Sequence, residues 1–494
     1  MIPIGAFHFC AAIVLLSPLL LLVLTSAIAL WFPNPTRIQG LVLTSKSNRE
    51  REISAATFAA IAFGLLASGG IGLMMLVNGT NSLVLDLGDW IAIHEESFHF
   101  HTTFIFDRLS IPFTILIYLL CGTVGAFTTK YLHREPGFQR FFILYSLFTF
   151  GMVISALAGT IEVLFFGWEL VGLSSALLVG FFHERQSPVA NGLRVWTIYR
   201  IADAAFLMAA VLLHHLSGEG NLQRMMGEAA WPNAQSIVGA KEAFGVGMLL
   251  LIAAAGKSAL IPFSGWLPRA MEGPTASSAI FYGALSVHLG AYLLLRVSPL
   301  IAASPVLAWF VVALGLLTAI YASIVERVQS DIKSALAFAS LTQVGLIVAE
   351  IGMGWYYLAL FHLLGHACLR TLQLLRAPSL LRDYFKLETA LGHRIAVADR
   401  PTILNRFPRL QYRAYRFAFE RGYLDSMLDH FAELVLGTLR FCMRCESAWI
   451  GWWHSTFSLH ANRPGLVRTF DGVPDSRDES GILDVELNEE VSDA

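Results

Sequence analysis

Charge is scarce in this chain of 494 residues: only 14% of it is Asp, Glu, Lys or Arg, and 55% is hydrophobic. A soluble globular domain carries about 25% charged residues. With a mean hydropathy of +0.61, the composition excludes an ordinary soluble protein and points to a polytopic membrane protein. Net charge is also small, −2 with a pI near 6.7, so there is no global basic surface and no nucleic-acid partner is expected. Cysteine is sparse. Cys10, Cys121, Cys368, Cys442 and Cys445 form no disulfide framework. Cys442 and Cys445 make one CxxC without a second pair, which reads as two ordinary helix cysteines and not a zinc site. No Gly-rich phosphate loop, flavin motif or iron–sulfur cysteine spacing occurs, so direct use of ATP or electrons is not expected and the chain reads as a non-enzyme. The first residues lack Lys or Arg before Arg37, unlike a cleaved signal peptide, so the apolar stretch from Phe7 to Phe32 reads as a retained span.

What the chain has in quantity is apolar runs of about 20 residues, the length that crosses a bilayer. They fall near 7–32, 55–78, 109–128, 140–158, 161–182, 194–216, 245–263, 275–297, 304–326, 334–353 and 355–376. The predicted fold is therefore all-α, a polytopic helix bundle of about eleven spans. Loop charge alternates. Arg37, Lys46, Arg49 and Arg51 precede the second span, whereas 79–107 has no Lys or Arg but carries Asp86, Asp89, Glu95, Glu96 and Asp107. Lys130, Arg134 and Arg140, and later Arg185 and Arg194, restore the positive sign. Positive loops face the cytoplasm, which predicts an external N-terminus and a cytoplasmic C-terminus. The acidic loop alternates Leu83, Leu85 and Leu87, then Phe98 and Phe100, the period of a short β-hairpin. Its His94, His99 and His101 read as solvent-side strand residues in preference to a metal site. From 382 the chain turns polar and arginine-rich. Tyr412 to Ser455 reads as an interrupted amphipathic helix, with Phe417, Leu424, Leu428, Phe431 and Val435 on one face and Trp449, Trp452 and Trp453 behind. The acidic stretch after Phe470 lacks aromatics and is expected to be disordered. Four segments follow: 1–104, N-terminal spans and hairpin; 105–380, the remaining spans; 381–460, the amphipathic region; and 461–494, the tail.

A few charges interrupt the apolar runs. Lys257 sits within Gly256-Lys257-Ser258-Ala259-Leu260-Ile261-Pro262, with Trp266-Leu267-Pro268 following. A charge at the bilayer centre costs about 2.5–3.5 kcal/mol by insertion scales, and the prolines predict a helix broken beside it. Glu169 is central to its span, with Glu162 two turns before it; Arg200 and Asp203 share one face of the next at i, i+3. Lys333 follows Asp331 at the start of the tenth span, and His362, His366 and Arg370 recur every four residues in the eleventh. Arg200 with Asp203 reads equally as a static ion pair, and the histidines could serve as interhelical glue. For Glu169 and Lys257 a functional role is the better reading, because neither has an opposite charge in its own helix. In a low-dielectric interior the charged form of such groups is disfavoured, and an opposite charge restores it. A lysine that alternately pairs with and leaves an acid therefore binds and releases a proton.

Five strings, in order over roughly 105–380, resemble the antiporter-like membrane subunits of respiratory complex I and of multisubunit cation/proton antiporters. They are Trp168-Glu169-Leu170-Val171-Gly172-Leu173-Ser174, Gly256-Lys257-Ser258-Ala259, Trp266 to Thr275, Asp331-Ile332-Lys333, and Phe361 to Ala367. The resemblance implies that Glu169 and Lys257 form a coupling pair and that Lys333, His362 and His366 continue a polar axis across the membrane. Three departures stand out. Tyr282 occupies the place of a family histidine, with His288 nearly two turns later. Arg370 replaces a lysine and stays protonated. A second broken helix has no counterpart, the chain turning polar soon after Arg376. This shortened form is similar to the membrane subunit of the inorganic-carbon accumulation systems called DAB complexes. That likeness implies a bacterial inner-membrane protein passing protons or sodium ions, and a large soluble zinc β-carbonic-anhydrase-like partner for bicarbonate accumulation. Zinc is then expected in the partner, with no cofactor in this chain, and the region 382–460 would dock that partner. The alternatives are a subunit of a cation/proton antiporter or redox-driven pump, and a non-conducting anchor for a soluble enzyme.

Overall fold

The computed structural model describes residues 4–31, 42–93, 98–218, 220–227, 229–391 and 408–458. Two long apolar helices open the chain, α1 (Ile4–Trp31) and α2 (Val42–Asn78). An antiparallel hairpin follows, β1 (Ser82–Ile93) with β2 (Phe98–Asp107), in the segment where period-two alternation predicts one. Its register shifts between Asp86 and Ile91, and His101 pairs with Asp89 at 3.1 Å. His94 and the side chain of His99 lie outside the described residues.

The central bundle comprises α3 (Ser110–Tyr131), α4 (Phe138–Leu157), α5 (Ile161–Val179), α6 (Gln186–Ser217), the short α7 (Leu222–Met226) and α8 (Ala240–Lys257). After a break come α9 (Trp266–Arg269), α10 (Thr275–Arg296), α11 (Ser298–Ala303), α12 (Pro305–Glu326), α13 (Ile332–Gly352) and α14 (Tyr356–Leu391). Thr160, Ser304 and Asp331 cap α5, α12 and α13 by accepting from backbone N–H groups that the first turn leaves unpaired. Among the described residues ten helices are long and apolar enough to cross a membrane. The predicted span at 245–263 is the exception: it is α8, which stops at Lys257. The span predicted at 355–376 coincides with the membrane-length apolar stretch Tyr356–Ala377, and the one at 55–78 lies within Arg49–Asn78; the helices themselves extend further, to Leu391 and back to Val42.

Small residues set how closely the helices approach. A β-carbon at Gly151 would lie 3.0 Å from the Gly167 carbonyl oxygen, so α4 and α5 touch backbone to backbone. Gly315 and Gly345 do the same for α12 and α13. This is how helices associate where lipid offers no hydrophobic drive between them. α10 is buried along its whole length at the centre of the bundle, with a π-helical stretch at Ser278–Leu285. Outward faces remain apolar, as lipid contact requires: Phe58, Leu76, Leu193, Trp309 and Phe361 are all exposed.

The C-terminal region holds α15 (Pro408–Phe419) and α16 (Leu424–Ser458), interrupted at Arg421–Tyr423, where all three residues have positive φ. The chain divides into two compact units, 1–428 and 429–494. In the second, the described helical residues 429–453 are exposed throughout, and Trp449 packs at a tilt against Trp453 with ring centroids 5.6 Å apart. The acidic tail 461–494 lies outside the described residues.

Candidate functional site: a buried lysine at a helix break

Lys257 is the last residue of α8 and is fully buried. The chain then reverses its local geometry: Ala259 has φ +56, a single 3-10 turn follows at Phe263–Gly265, and α-helix does not resume until Trp266. The Lys257 ammonium donates to the Trp168 carbonyl at 2.9 Å and lies 4.9 Å from the Trp168 ring and 4.4 Å from the Tyr199 ring. A carbonyl dipole and two aromatic faces thus answer the charge. Glu169, one residue on, does not touch it. Instead the Arg200 guanidinium donates to Glu169 at 2.5 Å and pairs with Asp203 at 2.6 Å. Asp203 also accepts from the Trp168 indole at 2.6 Å. The expected Glu169–Lys257 couple is therefore joined through Trp168 and Arg200, and Glu169 Oε1 is left without a hydrogen-bond partner.

Two helical relations explain this arrangement. Gly172, one turn after Trp168, leaves the space that Lys257 Nζ occupies. Arg200 and Asp203 share a face of α6, as their i, i+3 spacing requires, and that face meets α5. Arg200 itself is partly exposed and stacks over Trp196 at 4.0 Å.

From the break, Ser258 donates to the Val287 carbonyl at 2.6 Å, placing Lys257 and His288 on adjoining turns of α8 and α10. His288 Nδ1 bonds the Ala284 carbonyl at the end of the π-helical stretch, and its Nε2 faces His366 Nδ1 at 3.0 Å. His366 Nε2 in turn faces Arg370 at 3.5 Å. His288, His366 and Arg370 are all buried. The sequence stripe of α14 is thus divided. His362 bonds Glu350 at 2.9 Å and Gln343 at 3.0 Å, with its ring centroid 6.4 Å from that of His366. Lys333 donates to the Met271 carbonyl at 3.3 Å, beside the segment that follows the break. Tyr282 donates to the Ser175 carbonyl at 2.5 Å, and it is His288 that meets the histidine of α14. Glu162 pairs with His214 at 3.2 Å, two turns before Glu169 along α5.

Three groups escaped sequence reasoning. Asp107, read as an external loop acid, is buried and held by Arg296 at 2.6 Å. Glu350 and Gln343, the partners of His362, carried no motif. Asp425 bonds Arg194 and Arg269, which precede it by 231 and 156 residues. Nothing local marks such a contact. Among the described residues no cluster of His, Cys, Asp and Glu is arranged to hold a metal ion.

Residues 158–391 match the family described as NADH:quinone oxidoreductase/Mrp antiporter, TM, and residues 90–142 match NADH-ubiquinone oxidoreductase (complex I), chain 5 N-terminus. NADH-ubiquinone oxidoreductase chain 5 of Schizophyllum commune is 33% identical over 305 residues, covering 62% of this chain and 43% of the relative. Chain 5 of Allomyces macrogynus is 31% identical over 414 residues, covering 83% and 62%. The chain spans about half the length of the curated relatives it matches. Among solved structures, the Mrp complex from Dietzia sp. DQ12-45-1b aligns with TM-score 0.58 and 25% identity over 79% of this chain and 40% of that one. The membrane-bound sulfane sulfur reductase, an archaeal respiratory membrane complex, shares the fold at TM-score 0.59 and 17% identity, over 78% and 72%. Over residues 158–391 the chain is thus similar to the membrane domain described as NADH:quinone oxidoreductase/Mrp antiporter, TM.

Proposed function

We propose that the chain is the ion-translocating membrane subunit of a multisubunit complex, a transporter component whose chemistry belongs to its partners. The observation that carries this reading is the charge arrangement at the helix break. Lys257 is fully buried against a carbonyl and two rings, while Arg200 alone answers both Glu169 and Asp203. Moving Arg200 away from Glu169, or Lys257 towards it, exchanges one ion pairing for another. Each exchange changes how firmly Lys257 holds a proton. Glu169, Asp203, Arg200 and Lys257 form the loading site in this reading, and His288, His366 and Arg370 continue the path. Lys333 and His362 flank it. The ion is a proton or sodium; the histidines favour the proton, since each imidazole offers one nitrogen that accepts it and one that donates it.

The test is proton flux in vesicles holding the assembled complex. Lys257→Met, present at equal abundance, is expected to lose flux by about a hundredfold or more, the scale on which acid–base groups act. Parent-level flux in that variant would overturn the reading and leave the non-conducting anchor as the better account.

For the partners, the chain 5 and Mrp relatives favour a redox-driven or cation/proton antiporter assembly of further membrane subunits. An inorganic-carbon complex with a soluble zinc β-carbonic-anhydrase-like subunit is the second reading. It is supported by the exposed helix 429–453, which presents Phe431, Leu434, Trp449, Trp452 and Trp453 together with Arg440 and Arg444. In either case 105–380 is the translocating domain and 381–460 the docking region, with a multi-pass bacterial inner-membrane setting. An external N-terminus and a cytoplasmic C-terminus then require α8 and the broken segment after it to supply an eleventh crossing beside the ten long apolar helices. Gentle purification separates the two readings. Hydrophobic subunits without zinc support the first, and a stoichiometric soluble zinc protein supports the second.

A further inference from the structure

The break after Lys257 is closed from an unexpected direction. Asp425 accepts from Arg194 of α6 at 3.3 Å and from Arg269 of α9 at 2.8 Å, one carboxylate oxygen to each. All three side chains are largely shielded, with exposures of 17%, 25% and 29%. The carboxylate sits directly against the break: a β-carbon at Gly265 would lie 1.8 Å from Asp425 Oδ1, so any side chain there would displace the carboxylate. A second contact fastens the same stretch. Tyr321 of α12 donates to the Arg421 carbonyl at 2.9 Å and accepts from Ser264, inside the break, at 3.3 Å.

These contacts lead to the lysine. Trp266, next to Gly265, donates to the Gly256 carbonyl at 3.0 Å and packs edge-on against Tyr199, whose ring lies under the Lys257 ammonium. Trp266, Tyr199 and Lys257 thus form one packed series, and Arg269, three residues after Trp266 in the same short helix α9, is held by Asp425.

We infer that Asp425 is a positioning residue for the helix break: it clamps α9 to α6 and ties the start of the C-terminal helix to the geometry of Lys257. This inference rests on the translocation reading. Displacing the C-terminal helix takes Asp425 away from Arg194 and Arg269, loosens α9 and shifts the Trp266–Tyr199 wall of the lysine site. The amphipathic region thereby becomes a control on translocation and not only a dock.

The test uses the full chain in its complex, with the five native cysteines replaced by alanine and Ser264→Cys as a reporter inside the break. Asp425→Asn is expected to raise maleimide labelling of the reporter and to lower proton flux, each by about tenfold, the scale of a lost charge-assisted hydrogen bond. Asp425→Glu, which keeps the charge, is expected to recover flux to within about twofold. Lys257→Met runs alongside as the control for translocation. If it abolishes flux while Asp425→Asn retains parent flux, the positioning role is overturned. If Lys257→Met leaves flux intact, the translocation reading falls, and labelling alone decides the clamp. Unchanged labelling in Asp425→Asn then overturns it.

Discussion

Gly172 and Lys257 fit one another so closely that a β-carbon on the glycine would stand 3.0 Å from Nζ and 3.5 Å from the Tyr199 ring. The space belongs to the ammonium. Gly172→Ala must push the lysine away from the Trp168 carbonyl or shift α5 against α8. We expect the variant to insert and melt near the parent, because only one methyl is added, yet to lose flux. The contact calls for a shift of a few tenths of an ångström; since about 1 Å of misplacement can cost about a hundredfold, the expected loss is roughly two- to tenfold. Flux assays beside melting curves in detergent check this, and parent flux in the alanine variant would show that the lysine need not sit where it does.

The lysine and its break were legible in the sequence because the bilayer makes both conspicuous: one charge inside an apolar run, followed by Pro262 and Pro268. The spans were legible for the same reason. What stayed hidden were choices among helix faces. Periodicity puts Arg200 and Asp203 on one face of α6 but does not say that this face meets Trp168 and not Lys257 directly. His288 lies 78 residues from His366, and its contact depends on the π-helical turn of α10, which shifts side-chain phase and leaves no mark in the apolar periodicity. Asp425 was hidden most completely, since the amphipathic pattern around it describes a surface helix whether or not its first turn is buried.

The histidine series has a direction. Arg370 can only donate, so His366 Nε2 accepts; His366 Nδ1–H then donates to His288 Nε2, and His288 Nδ1–H donates to the Ala284 carbonyl. The tautomers follow from the hydrogen-bond network. If the two imidazoles pass one proton between them, His288→Ala and His366→Ala should each lower flux by about a hundredfold. The double variant should then be no worse than either single one, because residues acting as one unit are not additive. Losses that multiply would place the two histidines on separate routes.

Asp107 and Arg296 supply a structural counterpart. Their contacts, 2.6 and 3.4 Å, are bidentate and buried, and Asp107 also accepts from the Leu109 and Ser110 amides at the start of α3. Arg296→Ala leaves that carboxylate buried without its cation, which should cost about 3–5 kcal/mol. The expected result is a strongly lowered melting temperature and poor accumulation in the membrane. Asp107→Asn in the same chain removes the orphaned charge and should recover part of the loss. A parent-like melting temperature for Arg296→Ala would refute a structural role for the pair.

Arg200 faces a different balance, because it serves two acids and keeps some solvent contact. Replacing it by Gln leaves Glu169 and Asp203 as neighbouring carboxylates within the bundle. Screening at its exposed edge limits the destabilisation to roughly 1–2 kcal/mol. Asp203 is the more buried acid and still accepts from the Trp168 indole, so it carries the larger share of the unanswered charge. Adding Asp203→Asn should therefore restore stability more fully than adding Glu169→Gln. Neither addition should restore flux, since each removes a member of the exchange that loads Lys257. Melting curves and flux for the three chains decide the matter together. Recovery of both properties in the Arg200→Gln, Asp203→Asn chain would mean that the pair is a static brace, and that loading depends on Glu169 and Lys257 alone.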